Sequence, residues 1–288
     1  MITHPFTYLA PATIEEAVAL LGRSGEPKVV AGGHSLLPLM KLGLVQPESL
    51  VDLRRISSLR EIRSEPGTIV VGALATHRAI AADGSIRSQL AALSDAAAAV
   101  GDLQVRSRGT IGGSFAHADP AADEPAPALA LDATIRAIGP KGHRDIPARE
   151  FFLAPFETVL AANEIVSEIR FPLRKGRGGS AYAKFPHPAS RFAVVGVAAA
   201  IALKDDGTIE RAAIAVTGAA AAPFRASAAE GALLGTRGDA NAIATAAAKA
   251  AEGITTLADL AASADYRRHL VTVYAKRALA RAIERARA

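Results

Sequence analysis

The sequence predicts an α+β protein in two parts, and three observations predict it. Over roughly the first 175 residues, short apolar runs bounded by turn residues are interspersed with short helical patterns. After residue 180, three strand-like runs follow one another. From there to the C-terminus, apolar residues recur at the three-to-four spacing of helices. Strands in succession and then helices in succession argue α+β rather than strict alternation. The expected divisions are 1–175, with subdomains of about 1–55 and 56–175, and then 178–288.

The elements follow in order. "TIEEAVALL" starts a helix, with Thr13 as cap and Glu16 placed to reach back as a capping-box acid. "KVVAG", "SLVDL" and "TIVVGAL" read as short buried strands. "THRAIAAD" reads as a capped helical turn or two, and "QLAALSDAAAAVG" as a helix ended by Gly101. "ATIRAIGP" and "EIVSEIRFP" have strand patterning, stopped by Pro140 and Pro172. "RKGRGGS", 174–180, is the expected linker. "SAYAKF", "FAVVGVAAAIAL" and "TIERAAIAVTGA" are the three later strands. "FRASAAEGALLG", "ANAIATAAAKAAEG" and "YRRHLVTVYAKRALARAIERARA" are the closing helices.

Composition sets limits on function. The chain is 50% hydrophobic and 21% charged, which is globular rather than disordered. Aromatics are scarce and alanine abundant, so helices are expected to pack through small residues. A net charge of +5 suits an anionic ligand or an acidic partner surface. No Lys/Arg tract carries interleaved aromatics, so nucleic-acid binding is not expected. The absence of cysteine removes disulfides, thiol catalysis and any Cys-held zinc or iron–sulfur centre within the chain. "MITHPFTYLAPAT" lacks a signal-peptide pattern, and "FAVVGVAAAIAL" is too short for a transmembrane segment. A cytoplasmic protein is the expectation.

Two glycine stretches carry the chemistry. "VVAGGHSLLP" puts Gly32 and Gly33 between an apolar strand and an apolar helix start. "QVRSRGTIGGSFAHADPAADEPAPALAL" reads as a loop with Gly109, Gly112 and Gly113, followed by Asp119 and Asp123. Glycine lets another group come close to the backbone, and amides left facing outward suit an anion such as a pyrophosphate. Neither stretch has the spacing of a phosphate loop or of the Rossmann fingerprint. Singly, each also reads as a tight turn. His77, His117 and His187 have no metal-ligand spacing and read as structural, and "HADPAAD" lacks a third ligand.

Taken together, "AGGHSLLPLMK" and "GTIGGS" resemble the FAD-binding medium subunit of molybdenum hydroxylases. The nearest look-alike is the medium subunit of aerobic carbon monoxide dehydrogenase, and the module is similar to the flavin domain of xanthine dehydrogenase. The resemblance runs from "FTYLAPATIEEAVALL" through "LVDLRRI" and "VVGALATH" to the helical C-terminus. It implies a two-part FAD-binding domain of the PCMH type over 1–175, and a C-terminal medium-subunit domain of a small antiparallel sheet with helices over 178–288. It implies FAD as cofactor and two partner chains, a small subunit with two [2Fe–2S] clusters and a large subunit with the molybdenum cofactor. The expected assembly is a dimer of such heterotrimers. The missing cysteines fit, because the chain must then receive electrons from a partner's cluster.

Residue by residue, the resemblance implies a first loop over the FAD pyrophosphate from Ala31, Gly32, Gly33, His34, Ser35 and Leu36. It implies a second loop from Thr110, Ile111, Gly112, Gly113 and Ser114, where many relatives have Asn in place of Ser114. Asp123 matches an acid at the adenosine end, Ile165 an apolar residue against the adenine, and Lys184 a lysine near the flavin. Phe192 falls where relatives often place a tyrosine on the isoalloxazine, so a hydroxyl is lost and the aromatic face kept. Each of four residues has a second reading: His34 as a helix cap, Asp123 as an Asx-turn before Pro125, Lys184 as a solvated edge lysine, Phe192 as core. Two rival functions remain at this point, a free-standing flavin oxidoreductase and a non-catalytic FAD-containing scaffold.

Overall fold

Thr13 starts the first helix as its residue type predicts. In the computed structural model, which describes residues 3–23 and 25–288, its hydroxyl accepts the Glu16 N–H at the start of α1 (Ile14–Leu21). The Glu16 carboxylate reaches back to the Ala12 N–H at 2.8 Å. Met1 and Ile2 of the N-terminal segment lie outside the described residues.

Around α1 runs a small parallel sheet of β1 (Thr7–Leu9), β2 (Lys28–Val30) and β3 (Ser49–Asp52), in the order β1-β3-β2. Helix α2 (Leu36–Lys41) follows β2, and the first glycine stretch is the turn between them. Ala17, Val18 and Leu21 of α1 pack on Val51 and Leu53, with Leu74 and Ile165 closing this core from the next unit.

That next unit is a five-stranded antiparallel sheet, ordered β4 (Ile62–Glu65), β5 (Thr68–Gly72), β10 (Ile165–Pro172), β6 (Thr134–Gly139) and β7 (Gly142–Pro147). Between β5 and β6 the chain forms α3 (His77–Ala82), α4 (Gly84–Gln89), α5 (Ala91–Ala99), α6 (Leu103–Arg108), α7 (Ile111–His117) and α8 (Pro125–Ala130). After β7 come α9 (Ala148–Phe151) and a two-stranded hairpin of β8 (Phe152–Ala154) and β9 (Glu157–Thr158). Phe115, Phe151 and Phe171 are fully buried here, each contributing about 2–3 kcal/mol of transfer free energy.

The second glycine stretch is therefore not the loop its residues suggested. It holds α6, α7 and α8, each too short to form alone. Tertiary bonds supply what propensity lacks: Ile111 N–H donates to Ala75 C=O at 3.1 Å and Gly112 N–H to Ala73 C=O at 2.9 Å. Pro125 occupies the first position of α8, where its missing N–H costs nothing.

The C-terminal part is an antiparallel sheet of β11 (Arg177–Pro186), β12 (Ala193–Leu203), β13 (Ile209–Thr217) and β14 (Phe224–Arg225). Helices α10 (Ser227–Leu233), α11 (Ala240–Ala248) and α12 (Ala264–Arg287) follow. The sheet is buried on both faces, which is why β12 reads as an unbroken apolar run. Ala198, Ala200, Ala213 and Ala215 join the core beneath the five-stranded sheet and its helices. Val195, Val197, Ala199 and Ile201 join that under α12, whose Ala275, Ala278, Ala282 and Ala286 are buried in it. Small residues do carry the helix packing.

The expected linker at 174–180 is corrected in the same region. Arg177–Ser180 already belong to β11, with Arg177 opposite Leu203 and Ser180 opposite Ala200. Gly179 is there because α12 crosses its backbone: a Cβ at 179 would sit 2.3 Å from Ala282 C=O and 2.4 Å from Ala286 N. Gly179→Val is expected to lower stability by about 3 kcal/mol or more, since the obstruction is backbone and cannot swing aside. Thermal unfolding of the variant beside the parent checks this, and an unchanged midpoint would show that α12 is not so closely seated.

Candidate functional site

The two glycine stretches meet. A Cβ at Gly32 would lie 2.2 Å from Arg108 C=O and 2.8 Å from Gly109 Cα, so residue 32 must lack a side chain for the stretches to touch. Gly33 has φ +77°, in the left-handed region that glycine enters at no steric cost. Gly112 lies against Ala73, and Gly113 looks across to Ala31, whose Cβ is 3.8 Å from where its own would be. The immediate cause of these glycines is thus chain against chain.

Backbone donors divide sharply between the stretches. The amides of Gly32, Gly33, His34, Ser35 and Leu36 donate to no acceptor among the described residues. Five successive unpartnered N–H groups at the entry to α2 form a concentrated donor surface for an anion. In the second stretch the expectation of free amides is corrected. Ile111 and Gly112 are tied to the 73–75 carbonyls, and Gly113 N–H donates to Thr110 Oγ1 at 3.2 Å as Thr110 caps α7.

The remaining first-stretch side chains fall as follows. Ala31 and Ser35 are half-buried, and Ser35 makes no side-chain cap bond. His34 is exposed and caps nothing, which removes its second reading. Leu36 packs beside Val30, Met40 and Leu50. Ser114 is half-buried in the first turn of α7.

Asp123 and Lys184 come together in the interior. Lys184 Nζ donates to Asp123 Oδ2 at 2.8 Å and to Ala99 C=O at 3.0 Å, and Tyr182 Oη donates to Asp123 Oδ1 at 2.6 Å. Both side chains of the ion pair are about 5% exposed or less, so Lys184, although on the edge strand β11, is not a solvated lysine. The Asx-turn here belongs to Asp119, which accepts the Ala121 N–H, and not to Asp123. Burial pushes the Asp123 carboxyl above the usual carboxylate range, against the pull of Lys184 and Tyr182. Burial likewise lifts the Tyr182 phenol, with the Asp123 charge adding to it, so Tyr182 stays a donor.

Ile165 is buried at the start of β10 in the core of the first unit. Phe192 is 46% exposed, so it is not core. It ends the turn between β11 and β12, where His187 does the structural work expected of it. Its Nδ1 accepts Ala189 and Ser190 N–H, and its backbone N–H donates to Phe192 C=O at 2.8 Å. Among the site residues, the structure therefore gathers the two glycine stretches at one place and Asp123 with Lys184 at another.

Tyr182, Glu124 and His77 were missed as a group. His77 Nδ1 is 2.8 Å from Glu124 Oε1, and Glu124 is fully buried with Oε2 unpartnered. The available signal was "ADEPAP", two adjacent acids ahead of an apolar helix, since buried acids require partners. It named no partner, because His77 and Lys184 are distant in sequence.

The fold, with its paired glycine stretches, is that of a flavoprotein subunit of the molybdenum-dependent dehydrogenases. Residues 4–174 match the family described as FAD binding domain in molybdopterin dehydrogenase, and residues 180–282 the CO dehydrogenase flavoprotein C-terminal domain. The carbon monoxide dehydrogenase medium chain of Hydrogenophaga pseudoflava is 40% identical over 280 residues, covering 97% of each chain. The 6-hydroxypseudooxynicotine dehydrogenase complex subunit alpha of Paenarthrobacter nicotinovorans is 36% identical, covering 98% of this chain and 96% of its own. A structure of the Hydrogenophaga pseudoflava carbon monoxide dehydrogenase, lacking the Mo-pyranopterin moiety, superimposes with TM-score 0.94 at 42% identity and 99% coverage of both chains. The chain belongs to this FAD-binding medium-subunit family, and its cofactor is FAD.

Asp123→Ala is expected to cost about 3–5 kcal/mol, because it strands the Lys184 ammonium in the interior. Adding Lys184→Met should recover much of that loss. Urea unfolding of the single and double variants checks both, and additive losses would show that the two residues do not act as a pair.

Proposed function

We propose that this chain is the electron-transfer subunit of a molybdenum hydroxylase of the carbon monoxide dehydrogenase-like branch, working in the cytoplasm. In this reading it takes electrons from the [2Fe–2S] clusters of a small partner, while a large partner with the molybdenum cofactor oxidises the substrate. The complex is a dimer of such heterotrimers. The observation that carries the reading is the run of unpartnered amides from Gly32 to Leu36, set where the second glycine stretch closes on the first. The +5 net charge and the lack of cysteine agree with an anionic cofactor and an outside cluster. Among the described residues no helix is long and apolar enough to cross a membrane.

The roles of the residues follow. Gly32, Gly33, His34, Ser35 and Leu36 hold the pyrophosphate through backbone N–H groups, with Ala31 at the edge of the turn. Thr110, Ile111, Gly112, Gly113 and Ser114 form the opposing shoulder, their own amides being mostly engaged. Ile165 closes the adenine end from the core side. Asp123 and Lys184 act through their buried pair, which fixes the end of α5 through Ala99 C=O. Phe192, exposed beside the β11–β12 turn, offers its face to the isoalloxazine. When bound, FAD accepts electrons and releases them singly or in pairs to an external acceptor. No cysteine is available for a thioether link, and neither stretch places a histidine as covalent flavoproteins do, so the flavin is held non-covalently in this reading.

Gly33→Val is expected to leave a folded chain with little flavin, because valine resists φ +77° and would displace Leu37. Flavin released by acid and quantified per chain checks this, and full occupancy would remove the first stretch from the phosphate site. Phe192→Ala is expected to alter flavin fluorescence and reoxidation more than FAD affinity. An unchanged spectrum and rate would detach Phe192 from the ring.

The assembly is tested by co-expression with an iron–sulfur and a molybdenum subunit. A stable heteromer whose flavin is reduced by the large subunit's substrate is expected. A stable lone monomer, its flavin reduced directly by an organic substrate, would favour the free-standing oxidoreductase instead.

A further inference from the structure

His77 lies beneath the second glycine stretch, in contact with its backbone. Its N–H donates to Gly109 C=O at 3.1 Å, and Thr76 and Thr110 form an antiparallel bridge alongside. A Cβ at Gly109 would be 2.7 Å from His77 Cδ2 and Nε2, so the Cδ2–Nε2 edge of the ring faces that turn directly. The opposite edge presents Nδ1 to Glu124 Oε1 at 2.8 Å. Glu124 is in turn fixed at the start of α8, where its C=O accepts the Ala128 N–H. His77 is 5% exposed and Glu124 is not exposed at all. The pair is a buried post between α8 and residues 109–113, its imidazole toward the glycine turn and its carboxylate away from it.

We propose that His77, held by Glu124, is a positioning residue for the FAD phosphates. It props the turn at Gly109 against the first glycine stretch and, in its imidazolium form, favours an anion bound there. This rests on the assignment of the two glycine stretches to the FAD pyrophosphate. Several charged groups surround His77. Glu124 and Asp123 precede α8, and Arg106 comes from α6. Lys184 of β11 is engaged by Asp123, and Asp95 of α5 by Arg281 and Arg285. Arg78, next to His77 in α3, is exposed. Burial alone would lower the His77 transition. The charge and hydrogen bond of Glu124, with Asp123 behind it, outweigh burial and Arg106, so the net displacement is upward.

The sign follows from linkage. An anionic ligand that prefers the imidazolium is held most firmly below the His77 transition and loosens as pH rises through it. A pair serving only to stabilise the fold would not make flavin release depend on pH in this way.

The test uses the full chain loaded with FAD, with dissociation followed by the rise in free-flavin fluorescence. From about pH 6 to about pH 9 the parent protein is expected to release FAD roughly tenfold faster. His77→Asn keeps a donor toward Glu124 but cannot ionise, and it is expected to release FAD at a nearly pH-independent rate. Glu124→Gln is expected to move the transition to lower pH. Should Glu124→Gln fail to fold, His77→Asn decides alone. If His77→Asn keeps the parent's pH dependence, or if the parent itself shows none, the proposal is overturned. Failure of the parent to hold FAD even at about pH 6 would instead overturn the assignment of the glycine stretches.

Discussion

The carbonyl of Arg108 occupies the space where a side chain at residue 32 would begin. That close approach brings the small parallel sheet against the five-stranded unit at the point where the two glycine stretches meet. The short ladder between residues 73–77 and 109–112 fixes one side of it: Gly112 and Ile111 donate to Ala73 and Ala75, and His77 donates back to Gly109. With the amides of the second stretch spent on this ladder, the donor surface lies on the first. The two stretches look alike in sequence, yet one supplies donors and the other supplies the wall against which they are arranged.

Behind that wall the interior is polar to an unusual degree. The side chains of Asp123, Glu124, Tyr182, Lys184 and His77 are all buried, with Asp123 paired to the Lys184 ammonium and Glu124 to the His77 imidazole. Such an arrangement adds little net stability over an apolar one, because desolvation offsets much of the Coulomb attraction. What it provides is position. Lys184 ties β11 to the end of α5 through Ala99, and Tyr182 ties the same strand to the segment ahead of α8. The C-terminal sheet is thereby registered against the helices that carry the second glycine stretch.

Two further acids of the flavin-binding part take arginines from the C-terminal part. Asp95 accepts from Arg285 at 2.7 Å and from Arg281 at 3.3 Å, while those arginines also bond Ser180 and Tyr182 C=O. The free edge of β11 is covered by side chains rather than by another strand, which blunts it against pairing with a second chain. Asp132 similarly takes Arg211 and Arg225 from the C-terminal part, beside Arg174 of its own. Individually such half-exposed pairs contribute about 0–1 kcal/mol, so the seam is held mainly by the alanine-lined core on either face of the sheet.

By itself, the sequence determined the α+β class, the Thr13 cap, the three long C-terminal strands, the closing helices and the pairing of glycine motifs. These depend on periodicity and on residue types whose local preferences are strong. It did not reveal α6, α7 and α8, each too short to show a clear helical period, of which α7 is held by bonds to Ala73, Ala75 and Thr110. Nor did it show that Arg177–Ser180 form a strand, since Gly178 and Gly179 read as punctuation until α12 lies across them. The buried partners of Asp123 and Glu124 were likewise invisible, because an ion pair leaves no periodic trace. The tertiary structure decided which glycine stretch donates, since an amide's availability depends on whether a carbonyl from elsewhere in the chain has already reached it.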